Sequence, residues 1–282
     1  MIICHIKKDL RPILDDLRSK NKSLGFVPTM GALHKGHLSL IKQGLHENSK
    51  VVVSVFVNPT QFDNASDLEK YPRNLDSDLQ LLETLSDDII VYAPSAEDIY
   101  DGAIISENFD FDGLENQMEG KFRKGHFDGV GTVVKRLFEI VKPDVAYFGE
   151  KDFQQLRIIQ KLVEKYDIPV KIKGCEIFRA DDGLAMSSRN ERLTQSGRDA
   201  APFIYQTLKA AKKRFGMESA QKVTAWVEKE FKNHDALVLE YFTIADEATL
   251  ETVTKKSSLK SYRAFIAVFV GDIRLIDNIA LN

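Results

Sequence analysis

Apolar residues along this chain gather in two kinds of run. Short, nearly continuous ones lie at 24–27, 51–57, 89–92, 145–148 and 170–172. They lack the alternation of a half-exposed strand and predict parallel strands covered on both faces. Between them, apolar positions recur at helical spacing. Leu38, Ile41 and Leu45 form one stripe, and Leu75, Leu79, Leu82 and Leu85 another. Val130, Val133, Val134, Leu137 and Val141 form a third, closed by Pro143, and Phe153, Leu156, Ile159, Leu162 and Val163 a fourth. The alternation predicts a Rossmann-like open α/β sheet with right-handed crossovers. After about Arg179 the character changes. Lysine-rich helical segments at roughly 195–215 and 219–232 precede strand-like runs at 237–244, 265–270 and 273–276. We expect a smaller C-terminal α+β domain over 179–282, a larger domain over 1–178, and a junction near 177–190. There is no internal repeat or low-complexity tract.

Composition changes this picture little. Of 282 residues, 43% are hydrophobic and 29% charged, and 39 Lys and Arg against 42 Asp and Glu leave a net charge of −3. That suits an ordinary globular protein and carries no global footprint for nucleic acid or a membrane surface. The longest strongly apolar run, 51–57, is too short to span a bilayer. The opening residues lack the pattern of a secretory signal. Cys4 and Cys175 lie far apart and have no metal-ligand spacing, so a reduced, cytoplasmic setting is expected.

The chemistry concentrates in Pro28-Thr29-Met30-Gly31-Ala32-Leu33-His34-Lys35-Gly36-His37. A strand feeds into this segment and an apolar helical stripe leaves it. A helix start offers unpaired N–H groups and the positive end of the dipole, which suits phosphate. Two imidazoles at i and i+3 share a helical face and add donors there. Handling of a nucleoside triphosphate follows as the expectation. The fingerprints Gly-x-Gly-x-x-Gly and Gly-x-x-x-x-Gly-Lys-Ser/Thr are absent, which disfavours a common dinucleotide fold or a P-loop.

Four further segments carry chemistry. Asn58 and Gln61 lie just past the second strand, where open α/β sheets bind ligands, and amides suit hydroxyls or a carboxylate. Lys151 follows the fourth strand in Gly149-Glu150-Lys151-Asp152 and is a candidate phosphate cation. Met186-Ser187-Ser188-Arg189-Asn190 has the hydroxyls and guanidinium of a triphosphate clamp. Asp76 and Asp78 have the carboxylates a Mg²⁺ ion needs. Each also has an ordinary reading: a structural histidine network, loop amides on backbone groups, a solvated charge cluster, a helix cap, helix-start acids. The run 121–126 is basic but too short to indicate nucleic-acid binding. A common site at one sheet edge accounts together for the histidine pair, the amide pair, Lys151 and the Ser-Ser-Arg loop.

The segments PTMGALHKGH (28–37), FVNPTQF (56–62), KGHFDGVGTVVKRLF (124–138), FGEKDFQQL (148–156), GLAMSSRNERL (183–193) and GDIRLIDN (271–278) resemble the pantoate–β-alanine ligase family over nearly the whole chain. HKGH also resembles the His-x-Gly-His signature of the wider nucleotidyltransferase superfamily. The resemblance implies ATP-dependent condensation of (R)-pantoate with β-alanine through a pantoyl adenylate, releasing AMP and pyrophosphate. It implies that His34 and His37 contact ATP phosphates, with His37 as a proton donor that chiefly stabilises charge. Met30, Gly31 and Gly36 would line the adenosine and phosphate path. Gln61 and Gln155 would hold pantoate, with Gln61 near β-alanine and Asn58 supporting the pocket. Gly149, Lys151 and Asp152 would bind ATP, Lys151 on phosphate and Asp152 toward ribose. Phe178 would offer main chain to adenine. Met186, Ser187, Ser188 and Arg189 would close over the triphosphate. Mg²⁺ would accompany ATP, with Asp78 as its protein ligand. A cytoplasmic homodimer is implied, with no nucleic-acid or membrane partner, and hinge closure over the adenylate is expected. Two departures stand out: Lys124 where many relatives have proline, and Ser77 where several have an acid.

Two rivals remain at this level. Another nucleotidyltransferase would keep the histidines and the Ser-Ser-Arg loop without needing both Gln61 and Gln155. A non-catalytic ATP-binding module would show a damaged set of catalytic residues, and here the set is intact. An aminoacyl-tRNA synthetase lacks room for an anticodon-binding domain.

Overall fold

Every strand of the larger sheet is parallel, and the two central ones are almost wholly buried. In the computed structural model, which describes residues 1–62 and 65–282, these strands are β1 (Ile2–Cys4), β2 (Leu24–Thr29), β3 (Lys50–Val55), β4 (Ile89–Tyr92), β5 (Val145–Gly149) and β6 (Lys171–Cys175). Their order is β1-β4-β3-β2-β5-β6. Val51, Val52 and Val53 of β3 and Phe26 and Val27 of β2 are fully buried, as continuous apolar runs require when both faces are covered. Five of the six strands were legible. β1 was not, because its three residues are too few to form a pattern and Ile2 and Ile3 are exposed.

The accompanying helices are α1 (Lys7–Ser19), α2 (Lys35–Glu47), α3 (Ala65–Lys70), α4 (Leu75–Glu83), α5 (Ala96–Tyr100), α6 (Met118–Phe122), α7 (His126–Val141) and α8 (Phe153–Lys165). The four predicted apolar stripes became α2, α4, α7 and α8. Leu85 falls just past the end of α4. The short α3, α5 and α6 had no stripe to reveal them.

Successive strands β2, β3 and β4 add in one direction, and β5 and β6 then add on the other side of β2. The order therefore reverses between β2 and β5. Their ladder covers Gly25 with Val145 and Phe26 with Ala146, while β2 runs on to Thr29 and β5 to Gly149. Helices that cover opposite faces of a sheet diverge at such a switch point and leave a crevice outside the carboxyl ends.

The chain divides into two compact units, residues 1–150 with 154–176, and residues 151–153 with 177–282. Lys151, Asp152 and Phe178, read above with the first domain, group with the second unit. That unit contains α9 (Gln195–Ala200), α10 (Phe203–Phe215), α11 (Ala220–Lys232) and an antiparallel sheet of β7 (Val238–Asp246), β8 (Tyr262–Val270) and β9 (Ile273–Ala280). The segment read as one helix over 195–215 is two, because Pro202 has no N–H to continue the first. Leu208, Ala211, Val223, Val227, Ile266 and Val268 fill the core of this unit.

At the amino edge of the larger sheet, Glu47 ends α2 and accepts from the Lys173 ammonium and, at 2.8 Å, from the Tyr147 hydroxyl. The hydrogen bond from Lys173, then those from Tyr147 and Gln43, hold the Glu47 carboxyl down to about 2 from 4.5. A depressed folded value stabilises above the unfolded value and is lost as pH falls through the folded one. In urea titrations, the stability gap between the unmodified protein and Glu47→Gln should be full at about pH 6 and shrink below about 4.5. It should vanish as pH falls through about 2.

Candidate functional site

The loop from β2 to α2 is built around one buried carboxylate. Gly31 and Ala32 take left-handed backbone, with φ of 80° and 50°, and turn the chain sharply. The Asp78 carboxylate accepts from the Ala32 N–H at 3.0 Å and the Leu33 N–H at 2.6 Å, while Gly31 N–H donates to the Thr29 hydroxyl at 3.2 Å. A Cβ on Gly31 would lie 2.9 Å from Asp78 Oδ2, so this glycine is required by both conformation and space. Asp78 is 4% exposed and sits in the first turn of α4, whose Asn74 cap accepts from the Ser77 N–H.

This geometry revises one expectation. The carboxylate assigned to Mg²⁺ is committed to two main-chain donors and does not fit a metal ligand. Among the described residues, no group of three or more His, Cys, Asp or Glu is placed to hold a metal ion. The helix-start acid of the ordinary reading became a loop anchor, a role the sequence pattern did not reveal.

With the loop N–H groups turned toward Asp78, the outward-facing chemistry passes to the start of α2. His34 is its N-cap, and His34 Nδ1 accepts from the Gly36 N–H at 3.1 Å. His37 Nδ1 reaches back to accept from the His34 N–H at 3.3 Å. This is the reciprocal logic of a capping box, with imidazoles in place of the usual side chains. Because each Nδ1 accepts, each neutral ring carries its proton on Nε2. The ring centroids are 4.1 Å apart. Two Nε2–H donors thus stand side by side at the positive end of a helix, an arrangement suited to an anion with several oxygens.

The second strand end supplies amides. Asn58 is 1% exposed and accepts from the Tyr100 hydroxyl at 2.6 Å and the Thr60 hydroxyl at 3.1 Å. Its Nδ2 donates to Gly129 O at 3.1 Å and Gln61 Oε1 at 3.3 Å. Asn58 is therefore spent on the protein and acts by orienting Gln61. Gln61 Nε2 meets Met30 Sδ at 3.0 Å, which joins the ends of β2 and β3. These last two contacts are long or soft, so the Gln61 carboxamide can exchange them for a ligand. The main-chain carbonyl of Gln61 accepts from His126 Nδ1 at 2.8 Å, and Arg123 donates to the other ring nitrogen. Arg123 and His126 of the basic run thus brace Gln61.

Gly129 lets α7 lie against this turn. A Cβ there would be 2.3 Å from Thr60 O. Two glycines, 129 and 131, inside an otherwise periodic stripe were the available signal of close approach. The adjacent glutamines on α8 also separate. Gln154 is buried and accepts from Glu119 N–H while donating to Leu114 O and Gln117 O. Gln155 is the half-buried one. Gly149 ends β5 beside the switch point.

In the second unit, Lys151 Nζ lies 3.9 Å from Asp152 Oδ1. Phe178 is exposed and its carbonyl accepts from Met186 N–H at 3.0 Å. Ser187 caps a short turn by accepting from Arg189 N–H, and Ser188 is buried. Burial pushes the Cys4 thiol up and Cys175 up to about 11, which favours the thiol over the nucleophilic thiolate at neutral pH.

The fold is that of a Rossmann-like α/β protein with a six-stranded parallel sheet and a smaller antiparallel sheet, and a pair of imidazoles caps the helix that follows its second strand. The chain belongs to the pantoate–β-alanine ligase family, whose model matches residues 2–280. Pantothenate synthetases from Christiangramia forsetii and Flavobacterium psychrophilum are each 59% identical, the first over 98% of both chains and the second over 100% of both. Among solved structures, the pantothenate synthetase of Thermus thermophilus superposes with a TM-score of 0.88 at 36% identity, over 100% of this chain and 99% of that one. A Francisella tularensis pantoate–β-alanine ligase complexed with β,γ-ATP and β-alanine gives 0.81 at 37% identity, over 100% of this chain and 98% of that one. The family's enzymes are AMP-forming ligases.

Two substitutions test the scaffold. Asp78→Asn sets an amide against two buried N–H donors and should cost about 1–3 kcal/mol in chemical denaturation, because a hydrogen bond to a charged group is lost. Gly129→Ala should cost about 1–3 kcal/mol through overpacking. Its crystal structure should show the Thr60–Gln61 turn displaced.

Proposed function

We propose that this chain joins (R)-pantoate to β-alanine with ATP, giving pantothenate, a coenzyme A precursor, with AMP and pyrophosphate. The observation that carries the reading is the pair of Nε2–H imidazoles at the start of α2, beside the switch point of the sheet. A carboxylate acylates poorly because oxide is a poor leaving group, and adenylation supplies a good one. Pantoate oxygen attacks the α-phosphorus and pyrophosphate leaves. That step needs in-line positioning and charge neutralisation rather than a protein nucleophile. His34 and His37 supply neutralisation as hydrogen-bond donors, with His37 serving the leaving oxygen. The amine of β-alanine, once uncharged, then attacks the acyl carbon and AMP leaves.

Gln61 fits pantoate through its exchangeable carboxamide, and Gln155 joins it by family resemblance. Met30, Gly31, Gly36 and Gly149 follow the nucleotide. The same resemblance assigns phosphate to Lys151, ribose to Asp152, adenine to the Phe178 main chain and the triphosphate to Met186, Ser187, Ser188 and Arg189. On this reading the first unit binds ATP and pantoate and the second acts as a lid. A Mg²⁺ ion accompanying ATP would neutralise phosphate charge, and with Asp78 committed to main-chain donors it would take its ligands largely from the nucleotide and water. A homodimer in the cytoplasm completes the reading. Its support is the family's resemblance, and sedimentation mass measures the oligomer.

ATP–pyrophosphate exchange tests the reaction. Exchange should require pantoate and not β-alanine. His37→Ala should lower it about 10²–10³-fold, as loss of a transition-state donor does. Gln61→Ala should raise the KM for pantoate more than that for ATP. Exchange supported by a different acid and not by pantoate would overturn the substrate assignment while leaving the nucleotidyltransferase class intact.

A further inference from the structure

Two consecutive residues near the end of the chain, Asp277 and Asn278 on β9, hold segments far from them in sequence. Both are buried, at 5% and 1% exposed. Asn278 Nδ2 donates to the main-chain carbonyl of Lys151 at 2.9 Å, and its Oδ1 accepts from Arg263 at 2.7 Å. A carbonyl only accepts and a guanidinium only donates, so the carboxamide has one satisfied orientation. Arg263 is held by Glu247 at 2.8 Å, and its guanidinium lies over the Phe153 ring at 3.9 Å from the centroid. The turn that carries Lys151 is therefore gripped at the Lys151 carbonyl and at the Phe153 ring. Asp277, in turn, binds Arg179 through both oxygens, at 2.6 and 2.9 Å. Arg179 also donates to Gly183 O at 3.1 Å and stacks 3.7 Å from the Tyr205 ring centroid, which fixes the turn between Phe178 and Met186.

We infer that Asn278 is a positioning residue for adenylation: its carboxamide fixes the main chain of Lys151 and thereby aims the ammonium at the ATP phosphates. This rests on the reading of Lys151 as a phosphate ligand given above. A four-carbon stem can reach many places, and an anchored Cα narrows them to those around one origin. The grip on Lys151 and Phe153 groups this turn with the second unit, although the chain on both sides belongs to the first.

A double-mutant cycle with pantoate-dependent ATP–pyrophosphate exchange decides the matter. Asn278→Asp keeps the shape and the acceptor toward Arg263 but turns an oxygen on the Lys151 carbonyl. It should lower exchange about 10–10²-fold, the scale of an ångström-sized misplacement. In a Lys151→Met background the same change should cost less than about twofold, because the ammonium it aims is gone. Thermal melting checks that each variant is folded. Should Asn278→Asp not fold, Asn278→Ser takes its place in the cycle. Losses that multiply across the two backgrounds, or no loss from the Asn278 change in the Lys151 protein, overturn the inference. If Lys151→Met alone leaves exchange intact, the phosphate role of Lys151 falls, and the inference falls with it. The unmodified protein still reports separately on the pantoate assignment.

Discussion

The divergence of β2 and β5 is the constraint on which the rest of the first unit depends. A parallel sheet needs a crossover for every strand, and when the order reverses, neighbouring strands send their chains to opposite faces. The β2–β5 ladder ends at Phe26 and Ala146, before either strand does. Three features of this unit hang from that edge: the Asp78-anchored loop, the paired imidazoles and the end of β5. The neighbouring β3 end adds Gln61. A helix start is a donor-rich place wherever it occurs. Here the sheet puts it beside the switch point.

Much of the polar chemistry turned out to be scaffolding. A buried polar group without a partner costs about as much as a lost hydrogen bond. Buried carboxylates and amides are therefore drawn to main-chain groups that secondary structure leaves over. Asp78, Asn58 and Gln154 each satisfy this demand in an irregular segment that sets the position of a neighbouring side chain. The second unit solves the same problem with a set of charges, the buried Asp277 and Arg263 and the half-buried Arg179 and Glu247, joined through Asn278.

Such scaffolding divides labour between adjacent residues. Gln154 braces a loop while Gln155 stays accessible, and Asn58 is occupied while Gln61 keeps exchangeable contacts. His34 and His37 do both tasks, since one ring nitrogen caps the helix and the other carries the donor. The nitrogen that caps also sets the tautomer, so the helix start and the outward ring donors are one structure.

What the sequence determined by itself was the periodic part. Continuous apolar runs and 3.6-residue stripes are local consequences of burial, so five strands and four helices of the first unit, and the three strands and the 219–232 helix of the second, could be read directly, together with the strand–turn–helix around His34 and His37. The long motifs from 28–37 to 271–278 carried the family. What only the tertiary structure decided were pairings with no local signature. β1 is three residues long and gains its strand from β4. Asp78 meets a loop 45 residues away, Gly129 faces a carbonyl on another element, and Asn278 holds Lys151 across 127 positions. Periodicity reports which face of an element is buried. It does not report what a single buried polar atom will find there, because that partner is supplied by chain folding back from elsewhere.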